Sequence, residues 1–291
     1  MSKKTFTIDN PMPPLWLRLP GLSRFSIGWR MGYGEDYRYQ WGDWYMSLSK
    51  EDQQQYQIVF PEPAMWAGYY AEDEKAEDEE WVDPDNVHGY LTWQKGGVLK
   101  YNRSQLIKQG KVFTEEDLIC FWKPEPYVVN KACLGQWQPS VFSVDADQYS
   151  CAEQYMMAEK ARLFDDETMR QKIMQATAPK AMKAFGQKVQ NFDQTVWDET
   201  KATLILEGNY HKFSQNPQMM AFLLATGDKI LVEASLLDRI WGVGLAQDNE
   251  KILNPRTWQG DNLLGFALME VRDELRRVYA NYDKIDWSKF T

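Results

Sequence analysis

Three short runs of this chain hold side chains whose types and spacing suit chemistry. In the first, SCAEQYMMAEKARLF at residues 150 to 164, Glu153 and Lys160 stand seven positions apart among mostly apolar residues. On a helix, seven steps return to nearly the same face, roughly 10 Å further along the axis. The run therefore predicts a carboxylate and an amine in line on one face. It equally fits a capping box, in which Ser150 and Glu153 satisfy free amides of the first turn. In the second run, LVEASLLDRIWGVGLAQDN, Glu233 and Asp238 flank a segment that ends in Trp241, Gly242 and Gly244. Glycines after an aromatic let the backbone approach a ligand closely, and exposed amides there can hold phosphate; the same Gly-x-Gly also serves as a plain turn. Asp238 and Trp241, three apart, share a side of any helical turn. A third run, QGDNLLGFALMEVRDEL, opens a long helix with Asp261 or Asn262 as the natural N-cap. The free amides of that helix point at whatever precedes them, as an anion site would.

Helices must position most of these groups. The segments 150 to 164, 166 to 176, 179 to 189, 195 to 213, 216 to 225 and 262 to 280 repeat apolar residues at three- and four-residue spacing. Pro179 and Pro217 sit where first-turn prolines belong. KILVEAS, at 229 to 235, reads as a short strand. The expectation for residues 129 to 291 is a mainly α domain with a few short strands. Residues 1 to 128 differ, with eight of the chain's 13 tryptophans before residue 131 and the turn-like strings NPMPP, MGYGED and FPEP. There RFSIGWRM and GYLTWQ read as strands, and SLSKEDQQQYQIVF as a helix opened by Ser49, so an aromatic-rich α+β domain is expected. An acidic loop at 71 to 85, with nine acids and one lysine, interrupts it.

Charge and composition bound the function. The net charge of −9 argues against long-range attraction to nucleic acid, although most of it lies in the acidic loop. That loop reads as a solvated surface or as a docking surface for a basic protein partner. The chain holds no apolar run of 18 residues, so no membrane span is expected, and MSKKTFTIDNPMPP lacks a signal-peptide core. Three cysteines without metal-type spacing and only two histidines point to a reduced, cytoplasmic protein with neither a metal site nor a cofactor.

Taken in order, the motifs of the second part resemble the NADAR family, whose bacterial members include YbiA-like N-glycosidases. The family's Glu-His-Tyr-Phe-Gln-Ala-Gln-Lys-Ala helix is matched by Glu153 to Ala161, and its Lys-Phe-x-Gln-Asn-Pro turn by Lys212 to Pro217. Leu-Leu-x-Thr-Gly-Asp is matched by Leu223 to Asp228, Leu-Val-Glu-Ala-Ser by Leu231 to Ser235, and Asp-x-x-Trp-Gly-x-Gly by Asp238 to Gly244. Gly-x-Asn-x-Leu-Gly-x-x-Leu-Met-x-Val-Arg runs from Gly260 to Arg272. Two positions depart from the family: Ser-Asn-Phe is Gly135-Gln136-Trp137 here, and the histidine after the glutamate is Gln154.

The resemblance implies cleavage of an N-glycosidic bond, either in ADP-ribose attached to guanine or in early riboflavin-pathway intermediates. It implies that Glu153 stabilises an oxocarbenium-like state, that Lys160 forms a transient Schiff base, and that Asp238 positions ribose hydroxyls or water. Around the substrate it places Trp241, Gly242, Gly244, Tyr155, Gln136, Trp137, Glu233 and Asn262. The preferred substrate is an ADP-ribosylated guanine nucleotide or DNA, with stacking surfaces drawn from the tryptophan-rich N-terminal part. The alternatives are a riboflavin-type ribosyl phosphate, or a sensor that binds ADP-ribose or NAD derivatives without turnover.

Overall fold

A computed structural model describes residues 6–74 and 98–290. The helices are α1 Leu15–Arg18, α2 Gly28–Met31, α3 Glu35–Met46, α4 Lys50–Val59, α5 Arg103–Lys108, α6 Ala152–Leu163, α7 Glu167–Gln175, α8 Pro179–Gly186, α9 Gln194–Ser214, α10 Pro217–Ala225 and α11 Leu263–Val278. The strands are β1 Leu118–Phe121, β2 Phe142–Val144, β3 Asp147–Tyr149 and β4 Ile230–Glu233. The fold is thus mainly helical with a few short strands. None of the described helices is long and apolar enough to cross a membrane.

The described residues group into two compact units, one within Met1–Thr92, Ser143–Asp147 and Glu274–Thr291, the other within Trp93–Phe142 and Gln148–Asp273. The first unit is built on aromatic packing. Trp16, Trp29, Trp41, Tyr45, Tyr56 and Trp66 are all buried, and Trp41 stacks on Tyr45 with ring centroids 4.8 Å apart. The polar ends of two of these rings find partners inside: Trp41 donates to the Tyr56 hydroxyl at 3.1 Å, which donates to the Met12 carbonyl at 2.8 Å, whereas the Trp16 indole has no partner among the described residues. Such pairing is what lets tyrosine and tryptophan fill a core. Ser49 caps α4 as expected, accepting from the Asp52 amide at 3.1 Å.

One expectation for this unit is corrected. RFSIGWRM is a turn leading into α2 rather than a strand: the Trp29 indole donates to the Ser23 carbonyl at 2.8 Å and Ser26 accepts from the Gly28 amide at 3.2 Å, folding the segment back on itself. Of the eight tryptophans before residue 131, Trp16, Trp29, Trp41 and Trp66 are enclosed in the core, whereas Trp44 is half-buried and Trp122 is exposed. GYLTWQ and residues 75 to 85 of the acidic run lie outside the described residues.

The second unit carries the predicted helices within a few residues of their expected limits. β1 and β4 pair in parallel, with Leu118 opposite Ile230 and Phe121 opposite Glu233. Residues 98 to 128, grouped by sequence with the N-terminal part, therefore belong to this unit, because the strand at 118 needs β4 as its partner. Aspartates start two of the helices. Asp193 accepts from the amides of Thr195 and Val196 at the head of α9. Asp166 does more: one oxygen caps α7 through the Met169 amide at 2.9 Å, and the other receives the Gln190 amide at 2.8 Å. One carboxylate thus satisfies a helix start and fixes the chain beyond α8.

Asp166→Ala is expected to cost about 1–3 kcal/mol, combining a lost cap with a second orphaned amide. Urea unfolding of the two proteins checks this, and coincident midpoints would contradict the double role.

Candidate active site

The capping box expected at residue 150 does not form. Ser150 donates both its amide and its hydroxyl to the Gln154 side-chain oxygen, at 2.7 and 2.9 Å. The Glu153 amide instead donates to the Gln136 carbonyl at 3.0 Å. Freed from capping, the Glu153 carboxyl turns inward, where the residue is only 3% exposed. It accepts a hydrogen bond from the Trp137 indole, and its Oε1 has no partner. Burial pushes its pKa up to about 7, against the opposing pull of Lys183 and the Trp137 hydrogen bond.

Three further charged groups act on the same region. Glu233, at the end of β4, is pushed up to about 8 by burial and by Asp238, and its Oε2 also has no partner. Asp238 uses Oδ1 to accept from the amides of Ile240 and Trp241, at 3.1 and 2.9 Å, and Oδ2 to pair with Lys183 at 3.4 Å. Lys183, from α8, offsets the raised pKa of both Glu153 and Glu233. Helix α6, helix α8, strand β4 and the loop after it thus deliver three carboxyls and one ammonium to one place. It lies where the parallel strands end, as ligand sites in parallel sheets do.

The expected site residues divide. Glu153, Glu233, Asp238 and Trp137 come together, and half-buried Trp241 stands beside them through its amide bond to Asp238. Gln136 is buried, with Nε2 on Asn209 at 3.1 Å and Oε1 without a partner. Tyr155 instead packs into an aromatic cluster, 5.1 Å from Tyr149 and 6.0 Å from Phe142 between ring centroids. Asn262 is spent on β4, accepting from the Glu233 amide at 3.0 Å and donating to the Leu231 carbonyl at 2.9 Å. Gly242 is forced by packing, since a Cβ there would lie 2.8 Å from the Glu233 carbonyl oxygen. Gly244 has φ +68°, which suits glycine and turns the loop.

Lys160 does not figure among the charges that act on Glu153. Its ammonium lies over the Phe192 ring at 4.2 Å and the Trp197 ring at 5.1 Å. It makes no ion pair among the described residues, and burial lowers its pKa. Gln154, in the family's histidine position, donates to the Ile173 and Met174 carbonyls at 3.1 and 3.0 Å, tying α6 to the end of α7. Lys183, Phe192 and Trp197 were not singled out by sequence reasoning. Lys183 carried no signal there, being an ordinary lysine on an amphipathic helix. Among the described residues, no group of three His, Cys, Asp or Glu side chains is arranged to hold a metal ion.

Comparison with known proteins places this region in context. The NADAR domain model matches residues 120–276. N-glycosidase R617 of Acanthamoeba polyphaga mimivirus is 44% identical over 146 residues, covering 48% of this chain and 86% of that protein. Riboflavin biosynthesis protein VVA0006 of Vibrio vulnificus is 28% identical over 172 residues, covering 59% of this chain and 42% of that protein. The solution structure of YbiA from E. coli is similar with a TM-score of 0.44 at 24% identity, covering 56% of this chain and 88% of that one.

The raised carboxyls set a pH dependence of stability. Unfolded, Glu153 and Glu233 titrate near the ordinary 4.5; folded, they keep their protons to about 7 and 8. Their contribution to stability is complete below pH 4.5 and lost as pH rises through 7 and 8. Glu153→Gln is therefore expected to be relatively more stable at pH 8 than at pH 4.5, by about 3 kcal/mol. Urea unfolding of both proteins at the two pH values measures it; an equal difference at each pH would mean that folding leaves the Glu153 pKa at its unfolded value.

Proposed function

Because the chain belongs to the NADAR domain family, we propose that it is an N-glycoside hydrolase that removes ADP-ribose from guanine bases. The observation that carries this reading is the pair of buried carboxyls, Glu153 and Glu233, each with one oxygen left without a partner. An N-glycosidic bond breaks through a cation-like state at the anomeric carbon, and its leaving base needs a proton. Near neutral pH, Glu153 at about 7 is about half ionised, while Glu233 at about 8 keeps its proton for most of the time. Divergent pKa values of this kind divide the labour between a stabilising carboxylate and an acid.

In this mechanism the Lys160 amine attacks the anomeric carbon as the bond to the base breaks. The bonding pair leaves with the base nitrogen, which takes the Glu233 proton. The ribose ring opens to a protonated Schiff base on Lys160 as a proton passes from the nitrogen to the ring oxygen. Water then adds to that carbon, giving a proton to the Glu153 carboxylate. The new hydroxyl's proton passes to the nitrogen as the carbon–nitrogen bond breaks, freeing the amine and leaving the ribose aldehyde, which recloses. Lys160 suits the nucleophile because burial lowers its pKa and no carboxylate holds it as an ammonium. Lys183 is committed to Asp238, and that pair fixes the Trp241 loop. The Trp241 ring stacks on the base, a contact worth about 1–3 kcal/mol where aromatic stacking has been tested by truncation.

A relative named for riboflavin biosynthesis favours a second substrate, a ribosyl phosphate without the adenylate half. Mass spectrometry of products from an ADP-ribosylated guanine oligonucleotide and from a ribosylaminopyrimidine phosphate separates the two. Free ADP-ribose with restored guanine is expected from the wild type, and at least a hundredfold less from Glu153→Gln or Lys160→Ala, on the order of a lost general-acid or nucleophilic group. Borohydride added during turnover is expected to leave a reduced ribosyl adduct on the Lys160 peptide; an adduct on Lys183 would reassign the nucleophile. The rate is expected to be bell-shaped in pH, rising through about 7 and falling through about 8. Intact substrate after prolonged incubation with folded wild type would count against the whole reading.

A further inference from the structure

The most unusual charge in the second unit lies away from the carboxyl cluster. Lys212, on α9, is 0% exposed, and among the described residues no carboxylate pairs with it. The titratable groups that act on it are the thiols of Cys133 and Cys151, which burial keeps protonated. An unpaired ammonium in such a place is costly unless it serves a specific contact. It lies over the Phe213 ring at 5.0 Å and donates a hydrogen bond at 2.9 Å to the Gly135 carbonyl.

Three residues earlier on the same helix, Asn209 accepts the Gln136 side-chain amide at 3.1 Å, while its own amide nitrogen is fixed on the Ile205 carbonyl at 2.7 Å. Residues three apart on a helix share a face, so α9 grips two consecutive residues of one strand of chain. The next links reach the site: the Gln136 carbonyl receives the Glu153 amide at 3.0 Å, and Trp137 donates to the Glu153 carboxyl.

We propose that Lys212 is a positioning residue: with Asn209 it clamps residues 135 to 137 onto the start of α6 and so aims the Trp137 indole at Glu153. Its effect on catalysis rests on the hydrolase reading above; the clamp itself does not. The groups that face Glu153 are Trp137, Lys183 from α8, and Asp238 from the loop after β4, with Glu233 from β4 coupled to it. Only Trp137 is held by the clamp. Loosening it removes a hydrogen bond that favours the ionised carboxylate, so Glu153 gives up its proton at higher pH.

The test reads Glu153 directly, without activity. Glutamate carboxyls labelled with carbon-13 are titrated by NMR in the full chain, with Glu153→Gln supplying the assignment. Lys212→Met, which fills the same space without charge, is expected to raise the Glu153 midpoint by about one pH unit. Trp137→Phe, which removes only the donor and keeps an aromatic ring, is expected to do the same. In the double variant the two shifts should not add, which separates lost aim from a lost long-range charge. Asn209→Ala is the second variant should Lys212→Met fail to fold, and it is expected to shift the midpoint in the same direction. An unmoved midpoint in folded Lys212→Met or Asn209→Ala would overturn the proposal, as would additive shifts in the double variant. Failure of the hydrolase assay alone, with the NMR shifts present, would remove the function and leave the clamp.

Discussion

The site depends on one costly placement, the carboxyl of Glu153 held inside the protein at the first turn of α6. A carboxylate removed from water is tolerated only with specific partners. Here they are a single indole donor from Trp137 and the field of Lys183, and one oxygen remains without a partner. The compensation is incomplete, and that incompleteness gives the group its chemistry. A fully satisfied carboxylate would be a structural ion; this one keeps a proton affinity near neutrality and an oxygen with no partner among the described residues.

Much of the surrounding structure serves to hold that group and its counterpart Glu233. Strand β4 is pinned from behind by Asn262, which engages the Glu233 amide and the Leu231 carbonyl. The loop beyond it is set by Asp238, whose two oxygens bond the loop amides and Lys183. Gly242 lets that loop close to within contact of the Glu233 carbonyl, where any side chain would collide. The short parallel pair is a small element, yet its carboxyl end fixes where Glu233 and the following loop must lie.

Position 154 illustrates how a polar residue beside a catalytic candidate can be purely structural. Gln154 bridges Ser150 to the last carbonyls of α7, and so uses both ends of its amide on backbone and hydroxyl partners. In doing so it takes Ser150 out of the capping role, which leaves Glu153 free to face inward. The packing of α6 and the chemistry of its first turn are therefore decided together.

The helical half was legible because its signals are local. Three- and four-residue spacing and first-turn prolines each act within a few residues, and α6 through α11 lie close to where those signals put them. Ordered motifs likewise marked Glu153, Glu233 and Asp238. What sequence could not decide was direction and company. Ser150 with Glu153 reads as a cap until Gln154 competes for the serine, RFSIGWRM alternates like a strand until Trp29 folds back onto Ser23, and β1 has no meaning without a partner more than a hundred residues later. Lys160 and Lys183 are both plain lysines on helices; only the packing of α8 against α6 brings one to the carboxyls, while the other lies over the rings of Phe192 and Trp197. Helix formation is governed by neighbours along the chain, whereas a shifted proton affinity depends on charges and burial supplied from distant segments. Sequence therefore determined which groups were present, and tertiary structure decided which of them act on one another.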